Sequence, residues 1–552
     1  MKSFLKSNAT VVVKLQRWGH ELLLGRSFRF PLSAFRFPPI VIFYGDRLPM
    51  LFNSYTFIFA FLPITLLIFV FLVQRMPRRV AIAWLVAASL FYYGWERPEN
   101  LLLLSVLLVA NYLAGVYLDR HQGTMRGRIM LTLGLAANLG VLAHYKYTNF
   151  IIQIANDALG AHWRAADIVL PLGISFFIFQ KIAYLVDAYR GQTRGYHFID
   201  YCLFVTFFPQ LIAGPIVHHS EVVPQFERRT GQAFSAQDLS VGLTQFVFGL
   251  FKKVAVADRM ALFATPVFAG AAAGGSPTFL DAWIGAFAYA FQLYFDFSGY
   301  SDMALGLGRM FGIRLPANFD SPYKAVNIVD FWRRWHMTLS RFLRDYLYIP
   351  LGGNRRGPAW RYINLMITMV LGGLWHGAGW TFLFWGALHG VYLILNHAWM
   401  SVRSKAHHAT AASSAGGVWA GRTLTFLAVM LAWVFFRAAD FPTAGRMLSS
   451  MSGGNGFSFR SSLDAGTALA LIAVLWLGVW ILPNTQEILE RFDPALPPHG
   501  GGKLAHGDPV AIPWLIVWRW RPTLIWAAVV ALVAAVTMTQ MARVSEFIYW
   551  QF

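Results

Sequence analysis

Two histidines in a very hydrophobic stretch are the first residues of this chain to suggest chemistry. Residues 371–390 read LGGLWHGAGWTFLFWGALHG and carry His376 and His389 among tryptophans, phenylalanines and glycines. A neutral imidazole accepts a proton near physiological pH, so it suits general acid–base catalysis. An ionisable group inside a membrane is costly to bury and is therefore a functional candidate by default. The alternative is a neutral imidazole that only links two helices by a hydrogen bond.

Spacing along the chain indicates that His376 lies deep in the membrane. The 15 residues from Arg361 to His376 would extend about 22 Å as a helix, which passes the midplane of a hydrocarbon core about 30 Å thick. His389 and His397 are expected to be structural or interfacial. Nearby glycines are expected to loosen the helix and to let another backbone or a ligand approach. These glycines are Gly372, Gly373, Gly377 and Gly379.

A second segment, residues 318–357, combines a helical pattern with a histidine. Asn327 followed by Asp330 is typical of a helix start, and nothing interrupts the pattern until Pro350. The sequence therefore predicts one helix from Asn327 to Ile349. Residues four apart on that helix would share a face. They are Trp332, His336 and Ser340.

The same segment holds the densest group of cations in the chain. Arg333, Arg334 and Arg344 are candidates for binding the phosphates of an anionic acyl donor, since guanidinium groups pair well with phosphate. The alternative is a cytoplasmic membrane anchor whose side chains reach toward the lipid surface.

Two carboxylates lie in YFDFSGYSDMALG, residues 294–306. Gly299 is expected to break the helical pattern between Asp296 and Asp302. The carboxylates either pair with the arginines or fix an imidazole tautomer. An ordinary ion pair between helices is the alternative.

The composition predicts the elements that must position these residues. Hydrophobic residues make up 57% of the 552 residues and charged residues 13%, against about 25% in soluble domains. Apolar windows of about 18 to 20 residues recur along the chain, each long enough to cross a bilayer as a helix. The expected fold is an all-α polytopic membrane protein with about 11–13 transmembrane helices plus re-entrant or interfacial helices. An open sheet is excluded because its edges would be unsatisfied in lipid.

Other function classes find little support. A single cysteine, Cys202, excludes an internal disulfide, and no Cys/His spacing resembles a zinc site, so no metal is expected. There is no phosphate-binding loop or dinucleotide fingerprint. The net charge of +20 falls mostly in short loops between spans, which indicates cytoplasmic loops and not nucleic-acid binding.

The first 49 residues differ from the rest of the chain. They hold eight Lys or Arg residues against Glu21 and Asp46, and they lack the apolar core of a signal peptide. Residues 1–49 are predicted to be a basic extension that precedes the true start at Met50. The alternative is a genuine basic arm that lies on anionic lipid.

Several long motifs follow one another along the chain. They are MLFNSYTFIFAFLP from Met50, PLGISFFIFQKIAYLVDAYRG from Pro171, FFPQLIAGPI from Phe207, YFDFSGYSDMALG, FWRRWHMTLSRFLRDYLYIPLGGNRRG, LGGLWHGAGW and WVFFRA from Trp433. In this order they resemble the membrane-bound O-acyltransferase (MBOAT) family, and specifically its bacterial AlgI/DltB-like branch of alginate O-acetyltransferases and D-alanyl-transfer proteins. The resemblance covers residues 50–440, the predicted transmembrane catalytic domain, and is weaker over the C-terminal helices and loops of residues 441–552.

The resemblance implies a fold and a reaction. Helices would surround a central funnel or tunnel, with His376 of the WHG motif as catalytic residue and His336 as the second catalytic position. An acetyl group would move from a cytosolic donor, acetyl-CoA, to a hydroxyl on the other side of the bacterial inner membrane. A periplasmic partner like the SGNH hydrolases would then acetylate an exopolysaccharide such as alginate. His376 would act as general base or as a transient acyl carrier, and His336 would orient the donor carbonyl or assist proton transfer. No bound cofactor is expected.

Three alternatives remain open at this point. The acyl group could be D-alanine destined for teichoic acid, or the acceptor could be a lipid or a cellulose-type polymer. A non-catalytic transporter is the rival from another class. It is disfavoured because the pattern of residues 331–390 does not repeat in the first half of the chain.

Overall fold

The computed structural model describes residues 50–193, 195–228, 235–405, 415–497, 519–541 and 548. The predictions for residues 1–49 lie outside these residues. Within the described part the regular elements are helices, and the only bridge between extended residues joins Pro316 to Leu496. The predicted all-α polytopic fold is confirmed.

The helices of the N-terminal half are numbered here in chain order: α1 Phe57–Arg75, α2 Arg78–Gly94, α3 Asn100–Arg120, α4 Met125–Leu159, α5 Ile174–Tyr189, α6 Phe198–Thr206, α7 Phe208–Leu211, α8 His219–Arg228, α9 Ala236–Ala272 and α10 Phe279–Met310. The C-terminal half contains α11 Ile328–Arg334, α12 Met337–Leu343, α13 Pro358–His376, α14 Trp380–Lys405, α15 Ala415–Arg437, α16 Phe441–Met451, α17 Ala465–Ile481, α18 Thr485–Ile488 and α19 Leu524–Gln540.

Five helices in the described residues are long and apolar enough to cross a membrane. They are α1, α3, α4, α9 and α15. Helices α17 and α19 are apolar but shorter. The total of 11–13 spans and the central tunnel stay predictions.

The long helix α10 forms the centre of the packed core, and the expectation that Gly299 interrupts it is wrong. A Cβ on Gly299 would lie 2.7 Å from the Gly249 carbonyl oxygen, and one on Gly306 would lie 2.5 Å from the Gly242 carbonyl oxygen. The two glycine pairs are each seven residues apart, so they fall on one face of α9 and one face of α10. These glycines let the two backbones touch, as small residues do between membrane helices.

The predicted continuous helix from Asn327 to Ile349 is also wrong. Asn327 does cap the start, since its Oδ1 accepts a hydrogen bond from the Asp330 N–H at 2.9 Å. Helix α11 nevertheless ends at Arg334, and α12 begins at Met337. Between them His336 has φ +42° and ψ +53°, the left-handed conformation that non-glycine residues rarely adopt. Trp332, His336 and Ser340 therefore do not line one helix face.

Candidate active site

The fold brings the two predicted catalytic histidines together. His376 is the last residue of α13, and His336 lies in the break between α11 and α12. Their ring centroids are 6.4 Å apart, although 40 residues separate them in the sequence. Both side chains are buried, with His336 fully enclosed. The two imidazoles are therefore close enough to act on one reacting group.

Aromatic rings form the surroundings of His376. The rings of Trp385 and Phe436 meet it edge-on, with centroids 5.2 and 5.3 Å away. The expectation of close approach at the glycines holds for Gly373 and Gly377. A Cβ on Gly373 would lie 2.3 Å from the Phe382 carbonyl oxygen, and one on Gly377 would enter the Phe382 ring at 2.2 Å. Neither position has room for a side chain, because α14 packs back against the end of α13 there.

Two adjacent side chains of α4 hold the end of α13 that carries His376. A π turn at Ala143–Tyr147 places Lys146 and Tyr147 against the last carbonyl groups of that helix. The Lys146 ammonium donates to the carbonyl oxygens of Trp375 at 2.5 Å and His376 at 3.2 Å. The Tyr147 hydroxyl donates to the Leu374 carbonyl at 3.0 Å. Helix ends leave such carbonyls without partners inside the helix, so this contact fixes the final turn.

Sequence reasoning missed Lys146, although a signal was present. The residue lies in a 35-residue apolar helix, and an ionisable side chain in such a helix is a functional candidate on the same argument that selected His376.

An amide fixes the tautomer of His336. The Nδ1 atom lies 3.0 Å from the Asn318 Oδ1 atom, which also accepts from the Thr338 hydroxyl at 2.9 Å. An amide oxygen only accepts hydrogen bonds, so Nδ1 of His336 carries the proton. In the neutral ring, Nε2 then has the lone pair. His336 is thereby set up to accept a proton through Nε2.

The two carboxylates of α10 do not serve the histidines. Asp302 pairs with Lys252 at 2.6 Å, and Asp296 pairs with Lys253 at 2.6 Å. Both lysines lie on α9, so the ordinary ion pair between helices is the correct alternative. The tautomer partner of His336 is Asn318, which the sequence analysis did not single out.

The three arginines proposed for the donor phosphates lie on the segment around His336, and that role stays a prediction. Arg334 pairs with Asp330 at 2.8 Å, and Arg344 pairs with Asp345 at 2.7 Å. Arg333 and Arg344 are exposed, so both guanidinium groups are accessible from outside.

The remaining histidines of this region have different environments. His389 is fully buried among aromatic rings, with Trp385 4.8 Å and Trp332 5.2 Å away between centroids. Neither ring nitrogen of His389 has a hydrogen-bond partner in the part of the chain that the structure describes. His397 contacts the Arg361 guanidinium through Nδ1 at 2.6 Å.

Known proteins resemble this chain over most of its length. A family model described as MBOAT, membrane-bound O-acyltransferase family, matches residues 182–436, which include both histidines of the pair. A peptidoglycan O-acetyltransferase of Helicobacter pylori is 45% identical over 436 residues, which are 74% of this chain and 81% of that protein. A probable alginate O-acetylase AlgI of Azotobacter vinelandii is 39% identical over 534 residues, 91% of this chain and 100% of that protein. A teichoic acid D-alanyltransferase of Streptococcus thermophilus is 27% identical over 239 residues, 42% of this chain and 57% of that protein.

Proposed function

Because the chain belongs to the membrane-bound O-acyltransferase family, we propose that it transfers acetyl groups from cytosolic acetyl-CoA, through the bacterial inner membrane, for O-acetylation of a polysaccharide. The protein is a multi-pass membrane acyltransferase. The observation that carries the proposal is the His336–His376 pair, two buried imidazoles whose ring centroids are 6.4 Å apart. The names of the Helicobacter and Azotobacter relatives support a polysaccharide acceptor.

In the proposed reaction, His376 acts as the general base. It takes the proton of the acceptor hydroxyl while the hydroxyl oxygen attacks the thioester carbonyl carbon. The new C–O bond forms, the C–S bond breaks, and the proton passes from the imidazole to the departing thiolate. General acid–base catalysis of this kind is worth about 10²- to 10⁴-fold in rate.

The fixed tautomer favours one of the two roles predicted for His336. A neutral ring that carries its proton on Nδ1 offers only a lone pair at Nε2, so it cannot donate a hydrogen bond to a thioester carbonyl. It can accept one from a hydroxyl. His336 therefore assists proton transfer and does not polarise the donor carbonyl.

In the proposal, the exposed arginines bind the acyl donor and a partner protein receives the acetyl group. Arg333 and Arg344 bind the donor phosphates on the cytoplasmic side, with Arg334 held behind them by Asp330. A periplasmic SGNH-hydrolase-like protein receives the acetyl group and passes it to the polysaccharide. The D-alanyl alternative has weaker support, since the Streptococcus D-alanyltransferase is 27% identical to this chain, against 45% and 39% for the Helicobacter and Azotobacter relatives.

The test is acetyl transfer by purified protein in liposomes with radiolabelled acetyl-CoA. Wild-type protein should consume the thioester in the presence of an acceptor alcohol. His376→Ala should lose about 10²- to 10⁴-fold of this rate while inserting normally. His121→Ala is the matched control, because this partly buried histidine follows the end of α3 and its Nδ1 lies 2.9 Å from the Tyr117 carbonyl, one turn back along the same helix. Wild-type activity in His376→Ala refutes the mechanism, and passage of intact acetyl-CoA marks a transporter.

A further inference from the structure

A second group of histidines lies outside the candidate active site. His218 and His219 direct their Nε2 atoms toward the same carboxylate oxygen, Oδ2 of Asp187, at 2.7 and 3.2 Å. The three ligand atoms lie within 4.8 Å of one another. Asp187 lies near the end of α5, His218 directly precedes α8 and His219 begins it, so tertiary structure assembles the group from positions about thirty residues apart.

This group is separate from the His336–His376 pair. Ser175, near the start of α5, touches the Lys146 ammonium that holds the end of α13. Asp187 follows Ser175 by twelve residues, which is about 18 Å along the helix. The group therefore lies away from the His336–His376 pair.

The distances suit a metal ion bound by two histidines and one carboxylate. An ion about 2.1 Å from each atom would see the 2.7 and 3.2 Å separations at angles of about 80° and about 100°. These two angles are near the 90° between neighbouring ligands of a facial set, an arrangement with open positions that divalent first-row transition metals accept.

Hydroxyl groups complete the outer layer of the site. The Tyr196 hydroxyl lies 3.0 Å from Nδ1 of His219, and the Ser220 hydroxyl lies 2.6 Å from Nδ1 of His218. For His219, a hydroxyl oxygen that accepts from Nδ1 leaves the Nε2 lone pair for a metal, which is the usual arrangement around metal-bound histidine. Nδ1 of His218 also accepts from the Ser220 N–H at 3.4 Å, so His218 would change tautomer when it binds the ion.

We propose that Asp187, His218 and His219 bind a divalent first-row transition-metal ion. Solvent reaches the site along His218, whose side chain is 21% exposed, while Asp187 and His219 are 1% exposed. The Arg190 guanidinium lies on the other carboxylate oxygen, Oδ1, at 3.3 Å and leaves Oδ2 to the ion.

The ion would clamp three parts of the protein to one another. The Tyr346 hydroxyl lies 2.5 Å from Oδ2 of Asp187 and 2.8 Å from Nε2 of His218. Tyr346 follows His336 by ten residues on the same segment. With Nε2 of His218 bound to the ion, the Tyr346 hydroxyl keeps its contact with Oδ2 of Asp187, so the segment that carries His336 is held to the metal site through Asp187, a structural role that needs no acyl transfer.

The test measures metal binding directly on the full chain, purified in detergent without chelators. Co²⁺ is the probe, because its visible absorption bands report imidazole and carboxylate ligation. Wild-type protein should bind about one equivalent and gain thermal stability. Asp187→Asn and His218→Gln should lose the bands and bind at least about tenfold more weakly. His121→Gln is the matched control, another partly buried histidine with a hydrogen bond through Nδ1.

Each outcome decides the proposal without reference to enzyme activity. Bands in wild type and in His121→Gln that vanish in either site variant support the metal site. Folded wild-type protein that shows no bands and no stability gain with Co²⁺ or Zn²⁺ overturns it, and the group is then a hydrogen-bonded hub around Asp187. If Asp187→Asn does not fold, the more exposed His218→Gln carries the comparison.

Discussion

Two groups of paired histidines in this protein have opposite surroundings. The rings of His336 and His376 are lined mainly by Trp375, Trp385 and Phe436. The rings of His218 and His219 instead meet a carboxylate and hydroxyl groups at hydrogen-bond distance. Aromatic neighbours compete little with a substrate for the hydrogen bonds of an imidazole. Polar neighbours instead occupy the ring nitrogens with fixed hydrogen-bond partners. The first arrangement suits chemistry and the second suits binding and stability.

Changing the amide that orients His336 should give the largest effect among the supporting residues. Asn318→Leu removes the acceptor for Nδ1, so the proton can move to Nε2 and the lone pair is lost there. We expect kcat for acetyl transfer to fall about 10- to 100-fold with little change in KM.

Asn318→Asp is the matched variant, since a carboxylate also accepts from Nδ1. It should retain most of the activity that Asn318→Leu loses. Steady-state kinetics with labelled acetyl-CoA measures both. Equal losses in the two variants would mean that Asn318 matters only for packing, and the contrast between the two histidine groups would be weaker.

Removing the Lys146 amino group, which contacts the helix end that carries His376, should have an intermediate effect on kcat. Lys146→Met leaves the Trp375 and His376 carbonyls without their donor, so the last turn of α13 loosens and the imidazole is less well placed. We expect kcat to fall about tenfold, because a small displacement of a catalytic group is costly. Lys146→Arg should recover part of this loss, since its guanidinium can also donate to the carbonyl oxygens at the helix end.

Lys324→Met provides the matched control for that experiment. Lys324 is also buried and also donates to a backbone carbonyl, but its acceptor is the Leu482 carbonyl at 3.0 Å, just after the end of α17 and not at the end of α13. Its loss should lower the temperature of unfolding without changing kcat per folded molecule. Equal kcat for the Lys146→Met and wild-type proteins would show that Lys146 is a structural residue only.

From the sequence, the residues of the candidate site could be named more readily than the structural elements that hold them. His336 and His376 could be found because each lies in a long motif, and a buried ionisable group is conspicuous in an apolar sequence. The helix break at His336 could not be found, since it depends on tertiary hydrogen bonds: the Met337 N–H donates to the Asn318 carbonyl at 3.0 Å. Local patterns carry no information about such distant partners. The role of Lys146 was hidden for the same reason, and only its charge in an apolar helix could have drawn attention to it.

Gly299 is another residue whose role depends on tertiary structure. Glycine weakens an isolated helix, but here it lets α10 pack closely against α9. A Cβ at Gly299 would meet the Gly249 carbonyl at 2.7 Å and the Lys253 backbone nitrogen at 3.0 Å, and backbone atoms cannot move aside. Gly299→Ala should therefore destabilise the protein by about 1–3 kcal/mol. The measurement is thermal unfolding in detergent.

Gly270→Ala tests whether close packing, and not glycine itself, causes that effect. Gly270 lies in α9, and a Cβ added there would meet nothing within 4 Å among the described residues, so alanine should stabilise by about 0.5–1 kcal/mol through its better helix propensity. Changes of opposite sign in the free energy of unfolding for the two variants would confirm that α9 and α10 touch through their glycines. If both variants stabilised the protein, Gly299 would be an ordinary helix glycine. Helices α9 and α10, which carry the ion pairs of Asp296 and Asp302, would then pack less closely than the structure shows.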